Sequence, residues 1–118
     1  MPNKVETGMS GQVAAERFLE ENGIKIITRN YRVRSGEIDL VAKDGDFIAF
    51  VEVKYRSSLR FGYPREAVTT HKQKQIKRTA LHYITRYSLT NCDFRFDVVE
   101  VLKLEGKLSI NHIKNAFC

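Results

Sequence analysis

The run from Phe47 to Val53, FIAFVEV, sets the strongest limit on the fold. Side chains along a strand alternate between the two faces of a sheet. Ile48 and Phe50 fall on one parity, and Phe47, Val51 and Val53 on the other. Both faces of such a strand need cover, so it belongs at the centre of a sheet with a layer on either side. Glu37 to Lys43 alternates as well, and Asp44-Gly45-Asp46 between the two runs is a hairpin signal. Ser10 to about Asn22 reads as a helix. Ser10 is its expected cap, Ala14 with Phe18 and Ala15 with Leu19 form an apolar side, and Gly23 suits the position past its end. Short strands are expected from Ile24 to Thr28 and from Tyr31 to Arg34. Thr70 to Ser88 reads as a long helix with an apolar stripe of Ile76, Ala80, Tyr83, Ile84 and Tyr87; Lys74, Arg78, His82 and Arg86 follow at four-residue steps on another side. Phe94 to Leu104 and Lys107 to Ile113 read as two final strands joined by a turn. The order predicts a mixed α/β domain with one central sheet, and 118 residues suit a single domain.

The chain is 42% hydrophobic and 29% charged, as expected for a chain that folds around a core. No apolar run approaches the ~20 residues that span a bilayer, and MPNKVETGMSG has no secretory signal character, so no membrane association and a cytoplasmic location are expected. Cys92 and Cys118 form no metal-binding spacing and fit a reducing compartment as free thiols. His71, His82 and His112 make no metal-ligand pattern either. The charge is unevenly spread. From Lys54 to Arg86 there are nine Lys or Arg and one acid, a net +8, whereas the remainder of the chain is −2. A block of this kind suits a polyanion, most simply nucleic acid; the alternative is a solvated basic helix. Tyr55 and Phe61 interleave with Arg56, Arg60 and Arg65 in an expected loop that could meet phosphates or unstacked bases, or could be an ordinary surface loop.

Charges inside the two best strand runs need an explanation. With a two-residue turn at Gly45-Asp46, Asp39 lies opposite Glu52 and Glu37 opposite Lys54, with Cβ atoms ~5 Å apart. Glu37, Asp39, Val41 and Lys43 would then share a face. A turn at Asp44-Gly45 shifts the pairing but keeps Asp39 and Glu52 on one face; a three-residue turn without a bulge separates them. Two carboxylates that close repel unless a cation or a proton lies between them. On a shared face they are hard oxygen ligands suited to Mg²⁺ or Mn²⁺, and Lys54 could serve an attacking water. Two carboxylates, a lysine and a basic surface are what phosphodiester hydrolysis needs. A Glu-x-Lys pair on a strand is more often an exposed pair worth a few tenths of a kcal/mol. Three features favour the chemical reading: the strand is apolar on both sides, an Asp lies on the preceding strand, and the basic block follows immediately.

Carrying these residues, the chain resembles the YraN/UPF0102 family of small bacterial proteins, which is similar to archaeal Holliday-junction resolvases and to the wider PD-(D/E)XK nuclease superfamily. RNYRVRSGEIDLVAKDG followed by FVEVKYR is the most specific stretch; AVTTHKQKQIKRTALHYI matches the family's later helix and FRFDVVEV its late strand. The resemblance runs from about Gly8 to the C-terminus. It implies a restriction-endonuclease-like core, a mixed central sheet flanked by helices. It also implies that Asp39, Glu52 and Lys54 are the catalytic trio, with Asp39, Glu52 and the Val53 carbonyl as metal ligands. Glu37 belongs to the family's GEIDL. Lys72, Gln73 and Lys74 would face the substrate from the later helix, and Lys77 and Arg78 extend that basic surface. Where the family has Gly-Glu in its first helix, this chain has Gly11-Gln12. Gln12 stands at a metal-ligand position, but a neutral amide binds a divalent ion less well than a carboxylate; Glu16 is one turn further on. The expected activity is Mg²⁺- or Mn²⁺-dependent cleavage of DNA, in preference to RNA, with branched or otherwise structured DNA as substrate. Resolvase-like relatives act as dimers, which makes a homodimer an expectation here. The alternative is a non-catalytic nucleic-acid-binding module on the same fold, and a third is a protein-interaction domain whose basic face meets an acidic partner.

Overall fold

The doubly apolar run becomes the third of five strands. The computed structural model describes residues 4–56 and 68–118, with side chains from Gly11 onward. Helix α1 spans Lys4–Glu21, followed by strands β1 (Lys25–Val33), β2 (Gly36–Asp44) and β3 (Phe47–Arg56), helix α2 (Thr70–Arg86), and strands β4 (Asp93–Leu104) and β5 (Lys107–Phe117). They form one sheet in the order β1-β2-β3-β4-β5. Only β3 and β4 run parallel. Parallel neighbours cannot be joined by a hairpin, so the chain crosses over through α2. The result is a mixed α/β domain with the layout of a restriction-endonuclease-like core.

Each face of the sheet takes one helix. Ala15 and Leu19 of α1 pack with Leu40, Ala42, Ala49, Val51, Val99 and Val101. Ile76, Ala80 and Tyr83 of α2 pack with Tyr31, Ile38, Val41, Ile48 and Phe50 on the other side. Phe50 is fully buried, with the Tyr83 ring edge-on at 5.9 Å. Burial of a phenylalanine side chain contributes ~2–3 kcal/mol. Gly11 lets α1 approach β3 closely: a Cβ there would lie 2.9 Å from the Tyr55 ring. Gly23 ends α1 at φ +78°, with the Ile24 N–H reaching back to the Leu19 carbonyl, the closure that a left-handed residue permits.

Several local expectations are corrected. α1 begins at Lys4, so Ser10 lies inside the helix rather than capping it. A serine within a helix costs only a few tenths of a kcal/mol, and no proline lies between Lys4 and Glu21 to stop the helix extending. The two short strands expected before Gly36 are one strand, β1, with a bulge between Ile26 and Thr28 and Asn30 at φ 52°. The kink at Asn30 re-aims the chain so that Thr28, bonded to the Tyr83 hydroxyl at 2.8 Å, and Tyr31 both face α2. Tyr87 is exposed and follows the last turn of α2 rather than joining its stripe. Phe47 is 40% exposed, with the Arg95 guanidinium 5.3 Å from its ring instead of a helix. β5 runs on to Phe117, whose ring stacks on Phe96 at 5.1 Å. None of the helices among the described residues is long and apolar enough to cross a membrane.

Candidate functional site

The β2–β3 hairpin turns at Gly45-Asp46, with Gly45 at φ 59°, the positive value that a two-residue turn accepts. Asp44 pairs with Phe47, and the ladder runs regularly to Leu40 and Val51. Beyond that pair the two strands part. In regular antiparallel pairing the Val53 N–H would bond to the backbone of Ile38; instead it donates to Asp39 Oδ2 at 2.8 Å. The cause lies in β2. Ile38 packs on the α2 side together with Val41, whereas Leu40 and Ala42 pack on the α1 side. Alternation therefore slips by one residue at Ile38-Asp39, as it does in a bulge, opposite the kink at Asn30. The four-residue shared face expected for β2 is corrected accordingly. Glu37 does not meet Lys54; it pairs with Arg32 across the outer hairpin, with Oε1 3.3 Å from the guanidinium.

Asp39 and Glu52 nevertheless come together on the α2 side. Glu52 follows Phe50 and precedes Lys54 on that face of β3. Its Oε1 lies 3.4 Å from Lys54 Nζ and 3.9 Å from Lys72 Nζ, the latter reaching across from the first turn of α2. Glu52 is 6% exposed. Burial first, and then the charge of Asp39, push its pKa up from 4.5 to about 6, against partial offset by the two lysines. Burial also raises the Asp39 pKa; the Val53 N–H opposes this, and the charge of Glu37 adds to it. Burial thus disfavours the charged forms of both acids by more than the two lysines favour them.

The remaining sequence-predicted residues divide into groups. Arg56 continues the Glu52-Lys54 face, and its Nε is buried with no hydrogen-bond partner among the described residues. Lys72 is at the site. Gln73 is half-buried, and its amide donates to the Val68 carbonyl at 3.2 Å. Lys77 lies 6.0 Å from the Phe117 ring, toward β5. Lys74 and Arg78 are exposed together with His82 and Arg86, so the basic residues of α2 wrap around the helix rather than forming one plane. Arg60, Phe61 and Arg65 lie outside the described residues. Gln12 is half-buried on α1, which packs on the opposite side of the sheet, and no hydrogen bond joins it to Asp39 or Glu52 among the described residues. Glu16 pairs with Arg29.

Two features escape a reading by sequence alone. Glu100 is buried, is in register with Lys54, and accepts from Asn111 Nδ2 at 2.9 Å. Val99 and Val101 face α1, so Glu100 shares the face of Lys54. Its signal was present: VVEVL repeats the pattern of FVEVK, a lone acid in an apolar strand. The other is His112, whose Nε2 lies 2.7 Å from the fully buried Asp97.

Among the described residues, no three His, Cys, Asp or Glu side chains gather into a group able to hold a metal ion. What the site offers is a pair of carboxylates beside a strand backbone that has left its ladder. That donor set suits Mg²⁺, which takes one or two carboxylates, keeps several waters and completes its shell with phosphate oxygens.

The model of "Uncharacterised protein family UPF0102" matches residues 11–101. A UPF0102 protein of Caldicellulosiruptor saccharolyticus is 50% identical over 117 residues, covering 98% of this chain and 99% of that protein. One from Clostridioides difficile is 49% identical over 115 residues, with the same coverage. One from Alkaliphilus metalliredigens is 48% identical, covering 93% of this chain and 96% of its own length. Matched over nearly its whole length, the chain belongs to the UPF0102, or YraN, family.

Proposed function

We propose that this protein is a divalent-metal-dependent endonuclease that hydrolyses phosphodiester bonds in DNA, with branched or structured DNA as its substrate. One observation carries the reading: two carboxylates on separate strands, the half-buried Asp39 and the buried Glu52, meet beside Lys54 with both pKa values raised. Two carboxylates held together partly out of water favour a cation bridging them. Asp39, Glu52 and the Val53 carbonyl would hold Mg²⁺ or Mn²⁺; a residue's N–H and C=O point to the same edge of a strand, and the Val53 N–H already faces Asp39. When bound, such an ion lowers the pKa of its water and neutralises charge growing on the phosphate.

The chain's own residues do the rest. Lys54 orients the attacking water or stabilises charge on the phosphate. Asp39 keeps the two strands apart by taking the Val53 N–H. The Arg56 guanidinium, on the same face as Glu52 and Lys54, adds positive charge for a backbone phosphate. Lys72, Lys74, Lys77 and Arg78 contribute positive potential around α2. The site lies at the C-terminal end of a central parallel strand, where open α/β sheets bind ligands. A cytoplasmic location and a homodimer on a two-fold substrate belong to the same proposal.

A second reading, a non-catalytic nucleic-acid-binding module, is favoured by the amide at Gln12 and by the absence, among the described residues, of a third acid grouped with the pair. The two are separated by incubating linear, flapped and four-way DNA with and without Mg²⁺ or Mn²⁺. Asp39→Ala and Glu52→Ala are each expected to abolish metal-dependent cleavage while DNA binding persists. Binding without metal-dependent cutting of any substrate selects the module; normal cutting by Asp39→Ala removes the site assignment.

A further inference from the structure

Lys72 and Lys54 come from different elements and converge on the same oxygen, Glu52 Oε1, at 3.9 and 3.4 Å. Their settings differ. Lys54 is anchored on β3 two residues from Glu52, and its side chain is 21% exposed. Lys72 stands in the first turn of α2, just after the Thr69 cap, and its side chain is 35% exposed. That turn contains no acid. A helix N-terminus is the positive pole of the helix, so a lysine there is unfavourably placed unless a carboxylate compensates it. Among the described residues, Glu52 is the carboxylate within ion-pair reach. The ammonium group is thus held at the site by Glu52, on a long side chain that is partly exposed.

The local charge points the same way. Asp39, Glu52, Lys54 and Lys72 sum to zero, so a divalent ion arriving on the two carboxylates brings the cluster to +2. Two ammonium groups and a metal ion cannot all sit against one carboxylate oxygen without strong repulsion, and Lys72, the more distant and more exposed of the two, is the one free to move. Lys72 can leave Glu52 cheaply only if another anion receives it, and a nucleic-acid phosphodiester is an anion that would lie beside this site.

We propose that Lys72 is a built-in counter-ion for Glu52, displaced when a backbone phosphate binds, so that divalent-ion binding and nucleic-acid binding are coupled through this one side chain. The proposal rests on the metal-dependent reading above and specifies how the site is regulated. In the nucleic-acid-free protein Lys72 keeps metal affinity low; a bound phosphate draws it away and raises that affinity. By linkage the ion raises nucleic-acid affinity by the same factor.

The test is Mn²⁺ binding by calorimetry on the full chain, as wild type, Lys72→Gln and Lys72→Arg, alone and with a four-way DNA carrying hydrolysis-resistant phosphorothioate linkages. Thermal melts followed by circular dichroism check that each variant is folded. Lys72→Gln is expected to bind Mn²⁺ about tenfold more tightly than wild type without DNA, because a screened unit charge has been removed from beside the ion. It should also gain less affinity when DNA is added. Lys72→Arg, which keeps the charge, should resemble wild type. If wild type binds Mn²⁺ and Lys72→Gln binds it equally or less well, the counter-ion role is wrong while the metal site stands. The counter-ion role is equally wrong if DNA leaves the wild-type Mn²⁺ affinity unchanged. If neither protein binds Mn²⁺ under any condition, the metal-dependent reading itself fails, and this inference with it.

Discussion

Glu52 and Asp97 sit on adjacent central strands one residue out of register, since Asp97 pairs with Val51 and Glu52 with Val98. They point to opposite faces of the sheet, and both are buried. Burial acts on them with the same sign and opposite outcomes. Asp97 is completely enclosed, yet its carboxylate takes the His112 ring at 2.7 Å, the Arg95 guanidinium at 3.0 Å and the Asn115 N–H at 3.0 Å. Burial works to raise its pKa, but those donors outweigh it and hold the carboxyl below the usual value. Glu52 has no comparable donors among the described residues; it has two lysines at longer range and a second carboxylate beside it, and its pKa rises to about 6. Arg95 also binds Asp44 at 2.7 Å, and Lys114 lies 3.2 Å from Asp44, which ties β5 and the hairpin end to the network. One constellation is complete without a ligand and the other is not, and that difference separates a structural acid from a candidate chemical one.

The largest effect is expected at Asp97. Asp97→Ala takes from Arg95 one of its two carboxylates and from His112 the acid its ring faces, and should destabilise the protein by about 3 kcal/mol in urea unfolding at pH 7. A loss under 1 kcal/mol would show that the network is incidental. Glu52→Gln should do the reverse. Because the folded pKa of about 6 stands above the ordinary 4.5, the native state holds its proton longer than the unfolded chain, and stability falls as pH rises from 4.5 to 6. The amide removes that penalty, so the variant should be more stable by about 2 kcal/mol at pH 7, with the gain vanishing by about pH 4.5. Thermal melts across that range measure it, and a Glu52→Gln variant weaker than wild type at pH 7 would mean that the acid is structurally satisfied. Asp97 has the opposite pH sign: its contribution is present above the ordinary Asp value and is lost as acid takes the pH through its depressed pKa. The smallest effect is expected from Lys114→Ala. Its ammonium group is exposed, so its bond to Asp44 should be worth no more than about 0.5 kcal/mol and should fade in high salt.

Much of the architecture was legible because it rests on local periodicity. Strand β3, the hairpin at Asp44-Gly45-Asp46, the stop at Gly23 and the apolar stripe of α2 each follow from spacing within about twenty residues. The pairing of Asp44 with Phe47 was one of three that the turn allowed, and the fold selects it. The slip at Ile38-Asp39 could not be read from the sequence. It needs the Asn30 kink on one neighbour and the missing Ile38–Val53 pairing on the other, and neither leaves a mark in GEIDL. The basic block was visible as charge, but a helix distributes its side chains around its axis, so Lys72 reaches Glu52 while Lys74 and Arg78 face outward. The role of His112 left no local signal because its partner, Asp97, lies fifteen residues earlier on another strand.

Which residues pair across the β2–β3 hairpin came from the fold. Sequence was enough for a central strand apolar on both faces, a cover on each side, a hairpin at Asp44-Gly45-Asp46 and the family to which the chain belongs. These depend on short-range alternation and on patterns of residue type. The tertiary structure alone decided which acids are compensated. Compensation depends on donors brought in from distant segments within about 3 Å, and on burial, which strengthens every charge interaction the packing creates.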